Sequence, residues 1–188
     1  MIRDVDLPNV VSAAGRGEHW ALTELFRAYQ PALLRYFRAQ EPRAAEDLAS
    51  EVWIAVARTL PQFRGDEAGF RAWLFTIARR RLIDHRRRWA RQRTDLVASH
   101  HLDTVDESGL GGDPAVEVVD RLGAQSAVDM LVAQLSADQA EAVLLRVVGG
   151  LSVAETARIM GRPAGAVRVL CHRALRQLAA RSDDGVVA

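Results

Sequence analysis

The chain contains no lysine; all 25 of its basic residues are arginine. Such a bias fits a GC-rich genome, and forked guanidinium groups also suit phosphate contact. Cysteine is almost absent too. Cys171 alone allows no internal disulfide and no cysteine-based zinc cage, so neither a metal nor a cofactor is expected. No run approaches the roughly 18 uninterrupted apolar residues of a membrane span, and the N-terminal "MIRDVDLPNV" carries acids where a signal peptide starts positive. A cytoplasmic protein without membrane insertion is expected, its function carried by surfaces.

What is present is charge, strongly segregated. Residues 64–93 hold ten arginines against three acids, whereas residues 94–136 hold one arginine against eight acids, within a chain of formal net charge +1. A basic block is the electrostatic footprint of a nucleic-acid binder. The acidic block mixes Gly, Pro, Ser and Asp and exceeds the length of loops inside compact domains, so it reads as a linker. Apolar residues elsewhere follow helical spacing. The expected fold is all-α: two small helical domains joined by an acidic flexible linker, with residues 1–93, 94–124 and 125–188 as the three parts.

In the first part, a helix from about Glu18 to Gln40 carries Leu22, Leu25, Phe26, Tyr29, Leu33 and Phe37, with Pro31 expected to kink it. A second, from about Ala44 to Leu60, buries Leu48, Val52, Ala55 and Val56 and turns Asp47, Ser50, Glu51, Ile54 and Arg58 outward. By itself that stripe is a solvated face whose acids suit the helix dipole. Pro61 and Gly65 break the pattern, and a third helix starts near Glu67. Its second half, "ARRRLIDHRRRWARQR", holds eight arginines and one acid. At 100° per residue Phe70, Trp73, Leu74, Ile77, Ala78 and Leu82 face the core, while Arg79, Arg80, Arg86 and Arg87 form a basic ridge opposite. Asp84 is placed to pair with Arg80 or Arg88. Such a ridge can follow a phosphate backbone, and its aromatic core face argues against a helix lying on a membrane.

The last part carries two capping boxes, Ser136 with Gln139 and Ser152 with Glu155. Gly161 ends one helix and Pro163 opens the next, giving the outline of a helix-turn-helix. Val167, Leu170, Ala174 and Leu178 take the buried spacing, leaving Arg168, His172, Arg173 and Arg176 to reach a groove, with Arg162 at the entry. Arginine at a guanine edge is the commonest base-specific contact.

"AEDLASEVWIAVARTLPQFRG", "FRAWLFTIARRRLIDHRRR" and "LSADQAEAVLLRVVGGLSVAETARIMGRPAGAVRVLCHRALRQL", in this order around an acidic linker, resemble a bacterial sigma factor of the extracytoplasmic-function (ECF) type. The resemblance implies a subunit that binds core RNA polymerase and promoter DNA, with an anti-sigma factor as a further candidate partner. It implies polymerase contacts at Asp47, Leu48, Ser50, Glu51, Trp53 and Ile54. It likens the loop "RGDEAG", with Arg64, Gly65 and Asp66, to the one that accepts a flipped base of the minus-ten element. Arg71, Trp73, Arg79, Arg80, Asp84, Arg86, Arg87 and Arg88 would then line the melted strand, with Phe75 as support. Arg162, Arg168, His172, Arg173 and Arg176 would read the minus-thirty-five duplex. The linker is similar to the segment that threads through the polymerase. Ser50, Arg80, Leu170 and the turn "PAGAV" depart from common family residues, which leaves the promoter sequence unread.

Two other readings stay open on the residues alone: a helix-turn-helix regulator acting without polymerase, and a non-DNA adaptor. An enzyme with a small-molecule substrate has little support. His100 and His101 sit in the linker without a cysteine partner, and Cys171 reads as a small helix-face residue rather than a redox switch.

Overall fold

The computed structural model describes residues 7–99 and 134–184, and the described residues form helices without a strand. The first helix, α1 (Leu7–Gly15), has no counterpart in the expectations above, although Leu7, Val10, Val11 and Ala14 have helical spacing. Its Val10, Val11, Ala13 and Ala14 are buried, chiefly against α2 (His19–Arg38). Gly17, at φ +86°, makes the turn between them, a conformation that costs glycine little.

Helix α2 runs unbroken through Pro31. Ala21, Leu25, Tyr29, Leu33, Tyr36 and Phe37 form its buried stripe, close to the spacing read from sequence. A short 3₁₀ turn leads into α3 (Ala45–Thr59), which buries Leu48, Val52, Trp53 and Val56 and carries Glu46 and Asp47 in its first turn. Another 3₁₀ turn at Leu60–Gln62 and a loop lead to α4 (Glu67–Ser99). This helix overruns the expected linker start: residues 94–99 are helical, and the rest of the linker lies outside the described residues. Phe70, Leu74, Phe75, Ala78 and Leu82 are buried. Aromatic rings lock α4 onto α2, Tyr29 on Phe70 at 5.4 Å and Tyr36 edge-on to Phe75 at 5.6 Å. Such pairs contribute about 0.5–1.5 kcal/mol each beyond the area they bury.

The second half contains α5 (Ala137–Val143), a π-helical turn (Leu144–Val148), α6 (Val153–Met160) and α7 (Ala164–Asp184). Both capping boxes form, Ser136 with Gln139 and Ser152 with Glu155. Gly161 ends α6 in the left-handed conformation, φ +65°. The eight-residue α6 and the longer α7 are therefore joined by the three-residue turn that the sequence indicated.

The two halves do not have separate cores. Leu144, Leu145, Leu151, Met160 and Val167 belong to the same hydrophobic cluster as Leu33, Phe37 and Phe75. The π-helical turn packs on α2, and α6 packs on α4. Gly149 permits the approach: a Cβ there would lie 3.4 Å from the Phe75 ring and only 2.6 Å from the Leu145 carbonyl oxygen.

Candidate nucleic-acid interface

The loop before α4 is shaped by its own side chains. Asp66 is the N-cap of α4, its Oδ1 accepting from the Gly69 N–H at 2.8 Å, which occupies part of a side chain expected to face a base. The Arg64 guanidinium folds back onto the carbonyl oxygens of Pro61 and Phe63, both at 2.8 Å. The Phe63 ring lies over Gly65, where a Cβ would come within 2.8 Å of it, so any larger residue would have to push the ring aside. Phe63 also packs on Phe70 and on half-buried Trp73, with centroids 5.8 and 5.1 Å away. The result is an aromatic floor beneath an exposed polar loop. Phe75, by contrast, is 1% exposed and serves the core rather than any surface.

Behind this loop, the Tyr29 hydroxyl donates to Glu67 Oε1 at 3.2 Å, and Glu67 pairs with Arg71. Burial, chiefly, pushes the Tyr29 hydroxyl up to about 12, so it stays a neutral donor. Arg71 also donates to the Gly150 carbonyl oxygen at 3.3 Å, which directs it toward the C-terminal helices rather than outward.

Along α4 the arginine ridge separates into two stripes. Arg79 makes a forked pair with Glu141, with contacts of 2.8 and 3.3 Å, and Arg86 pairs with Glu41 at 2.6 Å. Arg80 and Arg87 have no acidic partner among the described residues. They line a cleft of about 330 Å³ with Thr76, Ile83, Asp84 and Ile159. Asp84 pairs with neither Arg80 nor Arg88. Arg88 instead lies 3.6 Å from Glu51, which Arg81 also approaches at 3.4 Å. Distance along the chain hid Glu141 and Glu41 from sequence reasoning; only the i,i+4 pair of Glu67 and Arg71 had a local signal.

On α3 the expected partner-facing residues separate similarly. Asp47, Ser50 and Ile54 are exposed, Ile54 by 52%, an unusual value for isoleucine. Glu51 is half-buried beneath its two arginines. Leu48 and Trp53 are 1% and 9% exposed, and the Trp53 indole donates to Gln30 at 2.7 Å while packing on Phe26. Trp53 thus holds α3 on α2 and Leu48 belongs to the core, so neither side chain offers a surface to a partner.

On α7, Arg168, His172, Arg173 and Arg176 are all exposed. Three of them, Arg168, His172 and Arg176, border a groove of about 520 Å³ that continues to Arg146, Val153, Cys171, Leu175 and Ala179. Arg162 is held by Asp138 at 2.5 Å, which fixes its guanidinium at the entry of α7. Burial pushes the Cys171 thiol up, which disfavours a reactive thiolate. Among the described residues no cluster of His, Cys, Asp and Glu could hold a metal, and no helix is long and apolar enough to cross a membrane.

This arrangement matches known proteins. Residues 25–93 match Sigma-70 region 2, and residues 125–178 match Sigma-70 region 4. The ECF RNA polymerase sigma factor SigD of Mycobacterium tuberculosis is 33% identical over 188 residues, covering 97% of this chain and 84% of that protein. The ECF RNA polymerase sigma factor BldN of Streptomyces coelicolor is 36% identical over 177 residues, covering 93% of this chain; the chain spans 65% of that relative's length. Two solved structures share the fold: CnrH in complex with the cytosolic domain of CnrY, with a TM-score of 0.62, 22% identity and coverage of 95% of this chain and 97% of that one; and Bartonella quintana RpoE in complex with the anti-sigma factor NepR, with a TM-score of 0.60, 24% identity and coverage of 83% and 92%. The chain belongs to the ECF-type RNA polymerase sigma factors.

Proposed function

We propose that this protein binds core RNA polymerase and directs it to a promoter, acting in the cytoplasm and leaving catalysis to the polymerase. The exposed stripe of Asp47, Ser50 and Ile54 on α3 is the polymerase contact, with Glu51 at its edge. The Arg64–Gly69 loop, over the Phe63 and Trp73 rings, takes an extracted base of the minus-ten element. Extraction costs a few kcal/mol, which a rigid aromatic floor offsets by stacking. Arg80 and Arg87 guide the melted strand along α4, and Arg168, His172, Arg173 and Arg176 on α7 read the minus-thirty-five duplex. Residues 94–124 connect the two readers through the polymerase. An anti-sigma protein is a further proposed partner, as NepR is for RpoE.

The observation that carries this reading is the co-occurrence, in one chain, of arginines on α4 that have no acidic partner among the described residues with an exposed basic face on the second helix of a helix-turn-helix. A regulator acting alone needs only the latter. The test is run-off transcription with purified core polymerase on a library of promoter fragments. Discrete starts that depend on this protein are expected; duplex binding with no polymerase complex would overturn the reading.

A further inference from the structure

Helix α7 carries an apolar side chain in the middle of its basic face. Val169 is 47% exposed, whereas Val167, two residues earlier, is fully buried with Ala174 on the opposite side of the helix. The helical period puts His172, Arg176, Val169 and Arg173 at about 40°, 80°, 100° and 140° from Arg168. Val169 therefore lies inside the arc of the four basic side chains. Arg168 and Arg176 are on one side of it and Arg173 is on the other. No acid occurs between Ala164 and Ala180 to balance them. A single exposed valine is ordinary on a protein surface. One ringed by cations on the second helix of a helix-turn-helix is not.

Gly165, one turn before Val169 on the same arc, is a second and independent observation. Nothing lies within 4 Å of the position that a Cβ would take there, and its φ is outside the left-handed region. Neither packing nor backbone geometry calls for glycine, which also disfavours a helix. What its missing side chain supplies is clearance. Valine is short beside arginine, so it touches a base only where the helix backbone comes close to the groove. The first turns of the second helix are the part of this motif that meets base edges, and Gly165 leaves them open to that approach.

The chemistry of the groove then selects the contact. Base edges in the major groove present hydrogen-bond donors and acceptors and one apolar group, the C5 methyl of thymine. Valine neither donates nor accepts. Pressed against the polar atoms of guanine, adenine or cytosine, it removes their water and returns no hydrogen bond, which is a net cost. Against thymine it buries a methyl group. The guanidinium groups around it have the opposite preference, for guanine O6 and N7.

Resting on the reading of α7 as the minus-thirty-five reader, we propose that Val169 is a specificity-determining residue: it seats against the C5 methyl of one thymine in that element, between arginines that read neighbouring guanines. One A·T pair of the element is thus fixed by a methyl contact and not by hydrogen bonds. The arginines on either side set the register in which Val169 meets it.

The test uses the full-length protein in complex with core polymerase. Its upstream element is selected from a random duplex library. Each thymine of that element, on either strand, is then replaced singly by deoxyuridine, which removes the C5 methyl and leaves base pairing intact. For the wild type, one replacement should weaken binding in a fluorescence competition assay about fourfold, the worth of one buried methyl group. With Val169→Ala, thymine and uracil at that position should bind alike, because the two perturbations remove the same contact. V169I, which keeps an apolar side chain, should retain the preference. An element with no thymine on either strand, a wild type indifferent to every uracil, or an equal loss in V169A would overturn the proposal. Failure to form any polymerase complex would instead count against the promoter-specificity reading. The library is then selected with the protein alone, and the same uracil series decides the role of Val169.

Discussion

Replacing Arg80 and Arg87 together by alanine isolates the electrostatic work of α4 from its structural work. Both side chains border the open cleft, and neither has an acidic partner among the described residues, so their loss breaks no ion pair. Exposed substitutions of this kind change stability by less than about 0.5 kcal/mol. DNA affinity should respond differently. Each phosphate contact contributes about 0.7 to the slope of log affinity against log salt for a single strand, and about 0.9 for a duplex. Two lost contacts make the slope shallower by about 1.4 to 1.8. Between 50 and 200 mM salt, wild-type affinity should therefore fall roughly 7- to 12-fold more than that of the double variant. The assay is fluorescence anisotropy of a forked promoter fragment titrated with the polymerase complex at several salt concentrations. Arg27→Ala, which removes a pair with Glu24 on α2, serves as the control and should leave the slope unchanged. Parallel salt plots for the double variant and the wild type would refute the assignment of these two arginines to phosphate.

Other substitutions separate support from contact. Trp53→Phe leaves the Gln30 amide oxygen without its 2.7 Å donor and should lower stability by about 1–3 kcal/mol in thermal denaturation, while core-polymerase affinity per folded molecule stays constant. Ile54→Ala should do the reverse, weakening the complex in a pull-down or titration with no loss of melting temperature. Gly65→Ala pushes a methyl group into the Phe63 ring and should slow promoter opening, followed by 2-aminopurine fluorescence at the minus-ten element, without altering global stability. Ser152→Ala removes the α6 cap at a cost of about 0.5–2 kcal/mol near neutral pH, read from denaturant titrations. The Ser152 hydrogen bond holds the Glu155 carboxyl below its ordinary value, so that part of the stabilisation is present above the carboxylate range and fades as pH falls through it; the difference between the wild type and the variant should shrink in acid without vanishing, because the Glu155 N–H bond to the Ser152 hydroxyl does not titrate.

Features set by local spacing were legible in the sequence, and those set by distant contacts were not. The two capping boxes and the helix end at Gly161 depend on residues within one or two turns and formed as read, while the stripe of α2 kept Leu25, Tyr29, Leu33 and Phe37 but buried Ala21 and Tyr36 where Leu22 and Phe26 were expected. Helix α1 was missed because nine residues give too few turns for a period to stand out from an irregular N-terminus. The expected linker start at Thr94 came from the change of charge, yet a helix once under way extends at little cost, Leu96 and Ala98 are good helix formers, and α4 runs on to Ser99. The exposed stripe of α3 was correctly phased, but Trp53 was assigned to a partner through a motif, whereas its indole finds Gln30 and Phe26 inside the domain. Asp66 was read as a base contact and is in part a cap, because the same carboxylate chemistry serves both uses.

The largest gap concerned charge itself. Counting arginines gives the region from Arg64 to Arg93 a net charge of +7, and a binding surface scaled to that number would be too strong. Folding redistributes it. Arg79, Arg81, Arg86 and Arg88 meet Glu141, Glu51 and Glu41, acids that lie 30 or more residues away in the chain. Arg71 is committed to Glu67 and Gly150. The open charge of the cleft reduces to Arg80 and Arg87. A guanidinium already satisfied by a carboxylate gains little from phosphate unless that carboxylate leaves, because one pair is exchanged for another. The acids therefore set which arginines of α4 are held in ion pairs and which stand open at the cleft. In α4 that division follows helical phase, with Arg79 and Arg86 on the held stripe and Arg80 and Arg87 on the open one, so a single residue of offset decides whether an arginine is held by a carboxylate or stands open.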